Sequence, residues 1–200
     1  LEFIASWAES RRQDIVLWSG QYSIAQAISS TREDDDGQSG SFLFVREANE
    51  DLRRYSRAYP DYAEIGISAA NGNVLTNSLV DLTKEKERRL DSGVHVRDMD
   101  YFQQAMQGRV AVTGVRRNQD TGSPVFVIAS PVRQIRDGMA SEVAGILYGV
   151  VDWLFFTRQF VEPVKIGTHG YVYIVDPEGT VIAHPDKRRP GSPPPPRRCS

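Results

Sequence analysis

Apolar residues in the first 31 positions recur at helical spacing. Ile4, Trp7, Ile15, Trp18, Tyr22, Ala25 and Ile28 form one stripe, which predicts a single long helix over residues 1–31. Gly20 is the only breaker, at about 1 kcal/mol for a helix interior. Some 30 residues would run roughly 45 Å, longer than a compact core needs. The stripe fits either a core helix or a stalk that also pairs with a second copy. Thr31–Ser41 is polar and acidic and reads as a loop; its three consecutive aspartates lack the alternating ligands and distal Glu of an EF-hand. A second helix is expected over Phe42–Ala58. Phe42, Val45, Leu52, Tyr55 and Tyr59 supply its buried face, and Pro60 stops it.

The period then changes from helical to alternating. Tyr62–Ala69 and Val74–Leu79 read as paired strands around the turn Ala70-Asn71-Gly72-Asn73. Thr83–Leu90 is a charged surface helix, and Gly93–Arg97 leads into the stretch that organises the chain. There, Tyr101, Phe102, Ala105 and Met106 mark a short helix capped by Gly108. Three strand-like runs follow, Arg109–Arg117, Pro124–Gln134 and Val143–Asp152, with turns at Thr121-Gly122 and Asp137-Gly138. Trp153–Phe160 is an aromatic helix stopped near Pro163. Gly170–Val175 and Thr180–His184 form a second hairpin about Asp176-Pro177-Glu178-Gly179. Asp186–Ser200, with four prolines in a row and several arginines, is expected to be extended and unpacked. The fold class is α+β. A helix over an antiparallel meander is a common wall for a small-molecule pocket.

Composition narrows the field. The 200 residues are 40% apolar and 25% charged, with net charge −2, so no basic field argues for nucleic acid. The lone cysteine, Cys199, excludes a disulfide framework and a cysteine metal cluster. No apolar run approaches the roughly 20 residues of a membrane span. The chain starts at Leu1 rather than Met and reads as a fragment of a longer protein.

Candidate chemistry is sparse. His95, His169 and His184 have no metal-ligand spacing, and a backbone-bonded role is expected for His184 at its strand end. There is no nucleophile elbow and no phosphate-binding glycine loop. Neither catalytic residues, metal nor cofactor is expected. Asp152 stands out, because it ends an otherwise buried strand, and an unpaired buried carboxylate costs several kcal/mol. It must face solvent or meet a donor: a cationic ligand group, Arg116, Arg117 or a backbone amide. Tyr101 and Phe102 are adjacent on their helix and point in different directions. One is expected in the core and the other on a pocket wall.

These residues carry a resemblance. Asp98-Met-Asp-Tyr-Phe-Gln-Gln-Ala105, Thr121-Gly-Ser-Pro-Val-Phe-Val-Ile-Ala-Ser-Pro-Val132 and Gly145-Ile-Leu-Tyr-Gly-Val-Val-Asp152 look like the double Cache family. The run from Ile166 to Asp186 resembles the opening of that family's second module. The resemblance implies PAS-like membrane-distal and membrane-proximal modules on a stalk helix. The chain would lie outside a bacterial inner membrane as the sensing part of a membrane-anchored receptor. The receptor's output would be a chemoreceptor signalling domain, a histidine kinase or a cyclic-di-GMP enzyme. On that pattern residues 1–41 are stalk and acidic loop, and 42–160 the distal ligand-binding module. Residues 161–187 begin the proximal module, and 188–200 are the tail. The ligand-binding candidates are Met99, Tyr101, Phe102, Arg116, Tyr148 and Asp152. The aromatic pair and the Asp match the family's amino-acid pattern. Its Arg is replaced by Met99 and its strand Tyr falls near Arg116, which removes the bidentate carboxylate clamp. An amine, an amino acid or a small carboxylate remains as ligand, with a homodimer through the stalk as a further expectation. The alternative is a structural or dimerisation module with a vestigial pocket.

Overall fold

Gly20 divides the first helical stripe in two. The computed structural model describes residues 2–33, 38–82, 94–118, 121–136, 139–166, 170–175, 179, 181–184, 186 and 189. It opens with α1 (Glu2–Ser19) and α2 (Tyr22–Glu33) where one continuous helix is expected. The reason is local. Gly20 and Gln21 donate to Leu17 and Trp18 in i−3 fashion, and the Ser19 hydroxyl bonds the Val16 carbonyl at 2.8 Å. These tighter bonds compete with the helical ladder at the residue least suited to hold it. The break also shifts the buried face. Ile15, Trp18, Ala25 and Ile28 are buried as expected, but Tyr22 is exposed and Ile24 and Ala27 take its place inside.

α2 runs through Glu33 and α3 (Gln38–Ala58) starts before Ser41, so the expected loop is helical at both margins. The three aspartates lie outside the described residues. α3 packs on α2 and buries Phe42, Val45, Ala48 and Leu52, while Tyr55 and Tyr59 are half-buried. Tyr55 stacks on Trp18, with ring centroids 4.4 Å apart. Asn49 is buried too. Its amide donates to Thr76 Oγ1 at 2.9 Å and to the Asn77 carbonyl at 2.8 Å, which ties α3 to the sheet.

β1 (Tyr62–Ala69) has the expected bounds, and β2 (Val74–Asn77) pairs with it antiparallel. Gly72 makes the turn at φ +91°, a left-handed value that glycine adopts without cost. The helix expected over Thr83–Leu90 lies outside the described residues. α4 (Asp100–Met106) ends as predicted, with the Gly108 amide donating to the Ala105 carbonyl at 2.8 Å. The run Arg109–Arg117 is not one strand. It gives β3 (Ala111–Val112) and β4 (Arg116–Arg117), both paired with β5 (Pro124–Arg136). Between them the Thr113 hydroxyl accepts the Val127 amide at 2.9 Å, so a side chain replaces a ladder carbonyl and the strand breaks. β6 (Met139–Asp152) completes the sheet in the order β2-β1-β6-β5-β3. The Asp137-Gly138 turn lies outside the described residues.

The chain forms two compact units, residues 1–113 with 127–150 and residues 114–126 with 151–200. In the first unit, α1 and α2 press on β6 at two glycines. A Cβ on Gly145 would meet the Ser68 carbonyl oxygen and sit 2.9 Å from Ile28 Cγ2. One on Gly149 would sit 2.7 Å from both Ile15 Cδ1 and Tyr62 Cε1.

α1 is also held by charge. Arg11 Nη1 donates to both carboxylate oxygens of Asp61, at 3.0 and 2.7 Å, and Nη2 lies 3.0 Å from Asp14 Oδ2. The Tyr62 hydroxyl donates to the Arg11 carbonyl at 2.8 Å. Burial pushes the Asp14 carboxyl above its ordinary range, with Arg11 opposing. Folded protein therefore holds this proton more tightly than unfolded chain does. The stability from this group is fully present below the ordinary Asp value and declines as the pH rises through the raised folded one. Asp14→Asn is expected to flatten that part of the stability–pH curve, read by denaturant titration from about pH 4 upward.

In the second unit, α5 (Trp153–Phe156) continues into a π-helical segment (Thr157–Val161). Trp153 stacks on Phe156 and takes Phe126 edge-on. Four short strands follow. β7 (Lys165–Ile166) pairs with β8 (Gly170–Tyr171), and β9 (Ile174–Val175) pairs with β10 (Val181–Ala183). The strand expected over Gly170–Val175 is thus two, because its first half pairs backwards along the chain and its second half forwards. Gly179 has φ +84°; the rest of that turn and, in the Pro/Arg-rich tail, residues 187, 188 and 190–200 lie outside the described residues.

Candidate functional site

β6 has different neighbours on its two faces. Gly145 and Gly149 face the helices, so Tyr148, at odd spacing from Gly145 and adjacent to Gly149, points to the other face. There it lies beside Gly66 of β1, where an added Cβ would come 2.5 Å from the ring's Cζ. α4 covers this face. Its Tyr101 ring sits 6.1 Å from that of Tyr148, tilted by 41°. Tyr101 and Phe102 are both buried, at 6% and 4% exposure. A seven-residue helix lying flat on a sheet turns both adjacent aromatic rings away from water. Met99 caps α4 without a side-chain hydrogen bond and is exposed.

The Tyr148 hydroxyl donates to Glu64 Oε1 at 2.7 Å. Burial, then the Glu64 charge, then Tyr101 push the phenol well above its ordinary range, so it remains a donor at neutral pH. Glu64 is half-buried on β1, and among the described residues no Lys or Arg pairs with it. Sequence reasoning missed Glu64. The available signal was a carboxylate inside a strand, Tyr62 to Ala69, that otherwise carries no charge.

Asp152 and Arg116 belong to the second unit. Asp152 Oδ1 accepts the Leu154 amide at 2.8 Å and caps α5. Of the donors considered for it, the backbone amide is the one in place, and an Asp in this position is a standard helix start. Arg116 is exposed on β4 opposite Val125. His184 Nδ1 accepts the Asp186 amide at 2.8 Å, the backbone bond expected of it. His169 lies outside the described residues.

Three helices behind an open sheet, with a short aromatic helix on its front, define a PAS-like α+β module. The chain belongs to the Cache domain family, whose double-Cache form matches residues 4–193. No curated protein matches it significantly. Among solved structures it is similar to the ligand-binding domain of the Pseudomonas aeruginosa amino-acid chemoreceptor PctC in complex with GABA. The TM-score is 0.64 at 19% identity, covering 95% of this chain and 73% of that one. It is also similar to the sensor domain of the Vibrio cholerae histidine kinase DctB, with TM-score 0.65 at 16% identity, covering 90% and 60%. A third is the ligand-binding domain of the Pseudomonas fluorescens chemoreceptor CtaA in complex with L-serine, with TM-score 0.57 at 17% identity, covering 94% and 68%. At these identities the likeness establishes the fold.

Proposed function

We propose that this chain is the extracytoplasmic small-molecule sensing domain of a bacterial transmembrane receptor, and that it performs no catalysis itself. The observation that carries this reading is Cache membership across residues 4–193. The sensor and ligand-binding domains among its structural neighbours support it. The ligand is a small amine, amino acid or carboxylate, held on the α4-covered face of the first unit near Tyr101 and Tyr148. Residues 42–160 are the membrane-distal module, and the proximal one begins at residue 161. Among the described residues no helix is long and apolar enough to cross a membrane. Ligand binding shifts the population of sheet and helix arrangements, and α1 and α2 carry the change onward.

The test is a thermal-shift screen of the whole chain against small amino acids, amines and carboxylates. A ligand at about 100 times its Kd adds roughly 2.7 kcal/mol, a shift of roughly 5–10 °C for a chain of this size. A panel that leaves the midpoint unmoved rejects the sensing reading. One observation favours a second reading, a structural module with a vestigial pocket: both aromatic residues of α4 are buried in protein. A flat panel together with a stable dimer in sedimentation would establish it.

A further inference from the structure

We infer that Glu64 is the anionic anchor of the ligand site, and that the site takes a ligand bearing an ammonium group. The inference deepens the sensing reading and rests on it.

Glu64 lies on β1 with its carboxylate half-buried, and the partner in place is neutral: the Tyr148 hydroxyl, 2.7 Å from Oε1. A carboxylate offers about four acceptor positions, and one phenol occupies a single one. Desolvating an anion beside one neutral donor is poor compensation, and an opposite charge improves it most. Among the described residues none supplies that charge. The phenol does not discharge the site by passing over its proton, because burial and the neighbouring carboxylate hold it protonated.

The surroundings suit an organic cation. The rings of Tyr101 and Tyr148 stand 6.1 Å apart and inclined to each other, and Tyr148 joins that pair to the carboxylate through its hydroxyl. Aromatic faces attract ammonium groups within about 6 Å. An ammonium has three donors, which match the free lone pairs of Glu64. Met99, at the start of α4, brings no charge to bind a ligand carboxylate. Recognition is thus weighted towards the amine end. Asp152, the acid that stands out in the sequence, already holds the α5 amide, whereas the Glu64 carboxylate meets the Tyr148 hydroxyl and, among the described residues, no backbone amide.

The experiment is calorimetric titration of the whole chain with n-butylamine and L-alanine, and with butanoate and propanoate as counterparts lacking the ammonium. Wild-type protein is expected to bind at least one amine and to bind its counterpart roughly tenfold or more weakly. Glu64→Gln keeps the shape and the acceptor for Tyr148 but removes the charge. It should weaken amine binding by roughly tenfold or more while leaving the far-UV spectrum unchanged. Glu9→Gln removes an exposed carboxylate on α1 that pairs with Arg12 and should retain amine binding within a few-fold, which separates the anchor from a general loss of negative charge. Amine binding that survives Glu64→Gln overturns the anchor and leaves the sensing reading standing, as does binding of the carboxylates alone. If none of the four probes binds, the anchor is rejected; the broader panel then decides separately whether the chain senses anything.

Discussion

Gly145→Ala is expected to destabilise the first unit by about 3 kcal/mol, at the upper end of overpacking costs. The new methyl group would be driven into the Ser68 carbonyl oxygen, which belongs to the neighbouring strand and has no rotamer to turn. Relief requires β1 to move, and β1 is paired on its other edge with β2 and crossed by α2 and α3. On the helix side the same methyl meets Ile28, a fully buried side chain. Gly114→Ala is the control. Its Cβ would have nothing within 4 Å, so its effect should stay within about 0.5 kcal/mol. Chemical denaturation of both variants checks the pair. Equal midpoints would mean that the sheet and helices yield where the packing says they cannot.

Asp61→Ala ranks next, at about 3 kcal/mol. The Asp61 side chain is 4% exposed and receives two hydrogen bonds from Arg11, whose guanidinium also lies 5.2 Å above the Tyr59 ring. Removing the acid leaves a largely buried cation with Asp14 alone, and Asp14 is itself reluctant to ionise there. The cost comes from the orphaned charge rather than from the pair's net worth. Arg11→Met with Asp61→Leu should therefore recover most of the loss, and a double-mutant cycle reads that coupling. The exposed Glu9–Arg12 pair has an equally short contact, 2.6 Å, yet breaking it should leave the midpoint in place, since water screens it. A loss below about 1 kcal/mol for Asp61→Ala would contradict the assignment of this pair as the clamp on α1.

Periodicity carried most of the fold. β1 has its expected bounds, and α4, β5, β6 and the aromatic helix fall where alternation and turn residues place them. The errors have physical causes. The break after Ser19 depends on one glycine and a serine hydroxyl acting together, and a hydrophobic stripe runs straight through both. The split between β3 and β4 depends on a hydroxyl that finds the Val127 amide only once the sheet exists. The candidate site was half legible. Tyr101 and Phe102 were marked by the resemblance, and the Cache family it named is the one the chain belongs to. Glu64 was not, because its meaning comes from Tyr148, 84 residues away in sequence. Asp152 drew attention as a buried-strand acid, and the turn into α5 that explains it was legible only from the helix start that follows.

Tyr148 and Gly149 are consecutive residues that look in opposite directions, and the second has no side chain to act as padding. The wall between the Tyr101–Tyr148 ring pair and the Ile15 contact is therefore a single thickness of polypeptide. A push on the Tyr148 ring that moves its own Cα must also displace the floor on which α1 rests, with no compressible layer to absorb it.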